Sequence, residues 1–369
     1  MDSRFLRNVL LKGLVLFLLC DLLFVTVDPA ALGKLSLYNH LFAGRQRFPF
    51  GEDSSRSYNL SLFNLDAMFA SHIISDGPKP SDEYRVVLIG DSSTWGTLLR
   101  PEQTLAGLLD KASASQCGKI VRVYNLGYPT ISLIKDVMVL DYAMRYQPDL
   151  IIWLTSLEAF PIENQVASPI VANNGSRIKE LILTYNLPLN PNDPALINQG
   201  IWDKTLIGQR RSLADLFRLQ VYGVLWSATG IDQTYPTDYV HAQTDFKSDM
   251  TFHVMQPPIL EVNQLAFGVL EAGLHLPGET PVILVNEPML ASTGVNSDLR
   301  YNFLYPRWAY DQWREIMTTR AAKENWNYLD LWNAVPSSEF TNSAIHLSPF
   351  GETLLAERVE LAIQKQSCP

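Results

Sequence analysis

Apolar positions fall along this chain in two kinds of run. Residues 13–27 are almost continuously apolar, interrupted by Asp21. From residue 85 onward, short apolar runs alternate with longer amphipathic stretches. Residues 85–90, 121–125, 150–154, 281–285 and 326–331 are brief, β-branched or aromatic, and read as strands. Between them the period changes to that of a helix. Thr104 stands as an N-cap before Leu105, Leu108 and Leu109, and 134–146, 307–323 and 352–366 are further helical stretches. The last carries Leu354, Leu355, Val359 and Ile363 on its apolar face. Strands that are apolar throughout need cover on both faces, and helical crossovers between them make neighbours parallel. The pattern therefore predicts an α/β fold: a flavodoxin-like three-layer α/β/α arrangement with a parallel five-stranded sheet. Ligands in such sheets bind beyond the carboxyl ends of the strands.

Two stretches do not fit the alternation. Residues 158–280, between the third and fourth strands, are far too long for a crossover and predict a large helical insert or cap. It holds one helix over 209–227, with Leu213, Leu216, Phe217, Gln220 and Val224 on one face, and another over 260–273. The first either packs on its neighbours or touches a membrane surface. Residues 29–80 read as a juxtamembrane segment rich in Phe, Ser and Asn, closed by the breaker Asp76-Gly77-Pro78-Lys79-Pro80. The expected organisation is thus 1–28 as an anchor or signal segment, 29–80 juxtamembrane, and 81–369 as one domain with 158–280 inserted.

Arg4, Arg7 and Lys12 precede the first apolar run, so the positive end stays inside and the rest of the chain is exported. Counted from Phe5 the segment is long enough to cross a bilayer once. Asp21 opposes that reading, since a mid-span acid costs roughly 2.5–3.5 kcal/mol on insertion scales. A cleaved signal peptide is the rival, with a poor cleavage site near Pro29-Ala30-Ala31, and a buried helix the third reading. Composition is that of a folded protein: 369 residues, 47% hydrophobic and 18% charged. A net charge of −9 without a basic stripe argues against nucleic acid as a partner. Of three cysteines, Cys20 lies in the apolar run, which leaves Cys117–Cys368 as the one possible bridge. No Cys/His spacing suggests a metal site, and no cofactor motif is present.

The chemistry gathers at the strand ends. Gly90-Asp91-Ser92 closes the first strand, where a tight strand-to-helix turn can present a serine to backbone N–H groups, with Asp91 bracing the turn. Asn125-Leu126-Gly127 closes the second. His346-Leu347-Ser348-Pro349-Phe350-Gly351 precedes the final helix, and a histidine is the natural base at neutral pH. These blocks, in this order, resemble those of the SGNH/GDSL hydrolase family over about 85–158 and 281–366. The resemblance implies Ser92 as nucleophile, His346 as general base, and the N–H groups of Ser92 and Gly127 in an oxyanion hole.

Two positions depart from the family pattern. The acid expected three residues before the histidine is Ser343; Asn342, four before, can accept the imidazole N–H but brings no charge. The third block reads Thr155-Ser156-Leu157-Glu158, with Leu157 where the family has an oxyanion-donating asparagine. Thr155 or Ser156 is expected to supply a hydroxyl instead. Asn286 and Glu287, at the end of the fourth strand, are further candidate pocket residues, followed by Asn302, Tyr305, Arg307 and Trp308. The N-terminal segment, read as an anchor, makes the expected protein single-pass in the cell membrane with its catalytic domain extracytoplasmic. By the resemblance it would be a serine esterase or O-acyltransferase acting on acyl esters of envelope polysaccharide or lipid. The competing expectation is an inactive domain of the same fold that binds or assembles envelope components.

Overall fold

The computed structural model describes residues 3–27, 32, 45–50, 64–112, 115–229 and 238–368. At its centre are the five expected strands: β1 (Glu83–Ile89), β3 (Lys119–Asn125), β4 (Leu150–Thr155), β5 (Val282–Asn286) and β6 (Asn327–Asp330). All are parallel to their neighbours, in the order β3-β1-β4-β5-β6. The expectation of a purely parallel sheet needs one correction. A sixth strand, β2 (Ser115–Gln116), pairs antiparallel on the β3 edge, so the sheet is mixed. Its turn is Cys117-Gly118, both with positive φ (55° and 74°), as a two-residue hairpin requires. Two residues of strand carry no readable alternation, which is why the pattern missed it. The same turn holds the Cys117–Cys368 disulfide, which ties the sheet edge to the end of the chain (Cα–Cα 5.4 Å).

Alternation along each strand divides the core. Val87, Ile89, Ile151 and Trp153 face one side, and Val86, Leu88, Ile152 and Leu154 the other. The first face is covered by α5 (Leu133–Ala143), α9 (Phe267–His275) and α10 (Arg307–Glu324), through residues such as Val137, Leu270 and Trp313. The second is covered by α4 (Leu105–Lys111) and α11 (Pro349–Gln364), through Leu105, Leu109, Leu355 and Val359. Along the central strands β1, β4 and β5 nearly every residue is buried, as strands apolar on both sides demand, while β3 and β6 at the sides are partly exposed.

The two stretches outside the alternation are built into this body more than their sequences suggest. Of the segment read as juxtamembrane, Phe48 and α2 (Leu65–Ser71) enter the core with Met68 and Phe69. Of 158–280, the first part packs through Phe160, Ile170, Val171 and Ile178, and α9 serves as the β4–β5 crossover. The helix expected over 209–227 is α8 (Arg210–Thr229). The apolar N-terminal run forms α1 (Ser3–Leu23), continued by a 3₁₀ turn to Thr26; it is long and apolar enough to cross a membrane. Asp21, the residue that argued against a span, is buried against the body, where its carboxylate accepts the Ile207 N–H at 2.7 Å.

One buried acid gives the fold a pH dependence. Glu352, in the first turns of α11, accepts the N–H of Leu105 at the start of α4, while its Oε2 has no partner among the described residues. Burial pushes its carboxyl up to about 8. The folded protein therefore holds this proton more tightly than the unfolded chain does. That stabilisation is complete below the unfolded value and is lost as pH climbs toward 8. The unfolding free energy, measured by denaturant titration, should fall between pH 5 and 8, by a few kcal/mol in order of magnitude. Glu352→Gln should flatten the upper part of that decline; an unchanged slope between pH 6.5 and 8 would assign it to other groups.

Candidate active site

The end of β1 leads directly into α3 (Ser92–Trp95), a single helical turn. Asp91 is its N-cap: the buried carboxylate accepts the Ser93 N–H at 2.8 Å, the bracing role expected of it. Ser92 is the first residue of the turn, so its own N–H has no intrahelical acceptor and can face a ligand. The far end of the turn is held by Arg47, whose Nη1 donates to the carbonyls of Trp95, Gly96 and Leu99 at 3.2, 2.9 and 3.1 Å. The indole of Trp95 donates to the Phe48 carbonyl at 2.9 Å.

From the other end of the chain, the loop before α11 brings His346 to this turn. The loop is closed by the Thr341 N–H on the His346 carbonyl at 2.9 Å, and is pinned by Ala242 N–H to Thr341 O and Leu290 N–H to Ala344 O. Ser348 caps α11 through the Gly351 N–H and Pro349 takes its first position, which explains the spacing of that block. His346 Nε2 lies 2.8 Å from Ser92 Oγ, and His346 Nδ1 lies 2.8 Å from Asn342 Oδ1. Asn342 Oδ1 can only accept, so the imidazole carries its proton on Nδ1 and turns the Nε2 lone pair to the serine. Burial, with no carboxylate to offset it, pushes the His346 imidazole down to about 4. The ring is therefore neutral at physiological pH and poised to take a proton.

The oxyanion side differs from expectation. Gly127 packs against the nucleophile turn so closely that a Cβ there would lie 2.6 Å from Trp95 N. Yet its N–H donates to Asn125 Oδ1 at 3.0 Å, so in this conformation it is engaged within its own loop. Asn125 in turn donates to the Thr94 carbonyl at 2.8 Å, lacing the β3 loop to the turn. Ser156 is buried and accepts the Tyr305 hydroxyl at 2.8 Å, beside the Glu287 carboxyl. Its hydroxyl belongs to an interior network, not to a free oxyanion donor. Leu157 is in the core and Thr155 Oγ1 is buried without a partner among the described residues.

Asn286 and Glu287 are likewise interior. Asn286 donates to Asp330 and accepts from the Tyr310 hydroxyl, joining β5 to β6 and α10. Glu287 accepts from Ser93 Oγ, directly beneath the candidate nucleophile, and desolvation holds its carboxyl well above the usual range. Asn302, Arg307 and Trp308 serve joints between segments: Asn302 to the Leu290 carbonyl, Arg307 to the Ser297 carbonyl, Trp308 to the Met250 carbonyl. Asn286, Glu287 and Asn302 are fully buried, with Glu287 bordering a small cavity beside Ser93 and Glu352; polar groups that end the strands are why their position alone suggested ligand contact.

Sequence reading also passed over Lys135. This side chain, fully buried on α5, donates to the Gly90 carbonyl at 2.6 Å and the Tyr128 carbonyl at 3.3 Å, and pairs with Asp136 at 2.5 Å. It ties the β1 and β3 loops together beneath Ser92 and partly offsets the buried charge of Asp91. The signal was there: a Lys-Asp pair set inside the apolar stretch Leu133 to Leu140. Beyond the end of β4 lies a cleft of about 710 Å³, lined by Glu158, His253, Phe246, Phe303, Lys247 and Asp249 among others.

Three solved structures align with this chain over most of its length. A member of the lipolytic G-D-S-L family from Veillonella parvula aligns over 76% of this chain and 99% of its own, with TM-score 0.37 and 11% identity. A carbohydrate acetylesterase family member from Sinorhizobium meliloti covers 76% and 97%, with TM-score 0.33 and 13% identity. The native aryl esterase of M. smegmatis covers 75% and 99%, with TM-score 0.31 and 14% identity. No protein-family model matches the chain, and no curated protein matches it.

Proposed function

We propose that this chain is an SGNH/GDSL-type serine esterase or O-acyltransferase, anchored in the cell membrane and acting on acyl esters of envelope carbohydrate or lipid on the extracytoplasmic side. One observation carries the chemical part: the hydrogen-bonded series Asn342–His346–Ser92, assembled from residues 254 apart in sequence for its closing pair. Ser92 Oγ attacks the ester carbonyl carbon as its proton passes to His346 Nε2. The tetrahedral oxyanion takes the Ser92 N–H, joined by the Gly127 N–H if that loop releases Asn125. Collapse breaks the bond to the alcohol oxygen, which receives the proton from His346, and leaves an acyl-Ser92. Water, or a sugar hydroxyl in the transferase case, then gives its proton to His346 and attacks the acyl carbon; the bond to Ser92 Oγ breaks, His346 returns the proton to that oxygen, and the free acid or the new ester leaves. The location rests on the basic residues before α1 and on the Cys117–Cys368 bridge, a bond that persists in oxidising compartments.

The test uses the full-length protein in detergent with a fluorophosphonate probe. Wild type should be labelled and Ser92→Ala should not; equal labelling of the two dismisses Ser92 as nucleophile. The engaged Gly127 N–H and the interior Ser156 hydroxyl favour a second reading, an inactive domain that binds envelope components. That reading expects no labelling of either protein.

A further inference from the structure

The outer face of α8 runs against the rule that built the rest of the body. At 3.6 residues per turn, Ala214, Phe217, Val221, Leu225 and Ala228 fall within an arc of about 80°. All five are exposed, Phe217 by 72%, while Leu213, Leu216 and Gln220 on the adjoining side are half-buried, so the face expected to hold Phe217 with them is divided at Phe217. The preceding segment continues the surface: Ile201 is 66% and Trp202 74% exposed, and Leu206 and Ile207 are exposed as well. An apolar stripe of this extent, turned outward, marks a surface that meets something other than water.

We infer that α8 and the segment 197–207 lie on the surface of the lipid bilayer from which α1 emerges, an inference that rests on the reading of α1 as an uncleaved anchor. Three observations select lipid as the occupant. The patch is continuous with the anchor: the Asp21 carboxylate, two residues from the end of α1, accepts the Ile207 N–H, and α8 starts three residues beyond. The level at which α1 leaves the membrane therefore sets the level of α8. The rim is basic, with Arg210, Arg211 and Arg218 exposed beside the apolar stripe, as on helices that lie among anionic headgroups. Trp202 stands at the junction, the residue type that settles at the boundary between headgroups and acyl chains. Held at two places, at α1 and along α8, the body could not swivel freely about a single tether. The face of the sheet that carries Ser92 would then keep a fixed bearing to the membrane.

Nitroxide accessibility in the full chain tests this. Cys20→Ser removes the free thiol and leaves the disulfide in place. Single cysteines are placed at Phe217→Cys, Val221→Cys and Leu225→Cys, with Leu14→Cys in α1 and Leu361→Cys on the outer side of α11 as references. The labelled proteins are reconstituted in vesicles of phosphatidylcholine and phosphatidylglycerol. Positions 217, 221 and 225 should collide with oxygen several-fold more than with a nickel chelate, as position 14 does, while 361 shows the reverse. Oxygen preference at 14 with nickel preference at 217, 221 and 225 overturns the docking and spares the anchor. Nickel preference at 14 removes the anchor and the docking with it. Shielding from both reagents at 217 with spin–spin broadening makes a second copy of the chain the occupant and overturns the lipid assignment.

Discussion

His346→Ala is expected to slow hydrolysis of a nitrophenyl ester by at least about 10³-fold, with Ser92→Ala slowed as much and the double variant no slower than either. The reason is that the two side chains perform one step. A serine hydroxyl at neutral pH is almost wholly protonated, and attack requires its proton to leave as the new bond forms. The Nε2 atom at 2.8 Å is the acceptor within reach, on a ring that burial keeps neutral. Removing the base leaves a poor nucleophile, and removing the nucleophile leaves a base with nothing to activate. The residual rate then comes from binding and from the Ser92 N–H. Additive losses in the double variant, or a His346→Ala enzyme within tenfold of wild type, would separate the pair and end the proposed mechanism.

How far the sequence foretold this arrangement depends on the range of the forces involved. The five long strands and their helices were legible because burial on both faces of a sheet writes itself into every strand, as in residues 150–154 and 281–285. Ser92, Asp91 and His346 were legible because turn and cap chemistry is local: Asp91 caps its own helix and Ser348 caps the next. What stayed hidden was cross-chain. Arg47 supports the nucleophile turn from 48 residues upstream, inside a segment whose Phe, Ser and Asn content gave no period to read. Asn125 takes the Gly127 N–H by a side-chain rotation that no spacing reveals. Glu287 and Asn286 looked like pocket residues because polar groups at strand ends usually are; here both are buried, Asn286 between Asp330 and Tyr310, and Glu287 bonded to Ser93 through one carboxyl oxygen while the other has no partner among the described residues.

Asn342→Asp should make the protein a faster catalyst at neutral pH and a slower one in acid. The asparagine fixes the His346 tautomer, but its neutral carbonyl does little for the imidazolium that forms as Ser92 attacks. The wild-type rate should rise through an acid limb near pH 4, where His346 loses its proton, and hold level to neutrality. A carboxylate in the same place, 2.8 Å from Nδ1, raises the pKa of the ring; such neighbours shift a group by about 1–3 units. Position 342 is exposed, so solvent screens the new charge and favours the lower end of that range. The limb should therefore move to about pH 5–6. Above it the rate should exceed wild type, by up to about 10²-fold if imidazolium stabilisation limits the step. Between pH 4 and 5 the variant should fall below wild type, since its base is then protonated. Crossing profiles are the signature, because a packing defect would lower both arms together. An acid limb that stays near pH 4 in the variant would mean that His346 is not the group whose proton the rate reports.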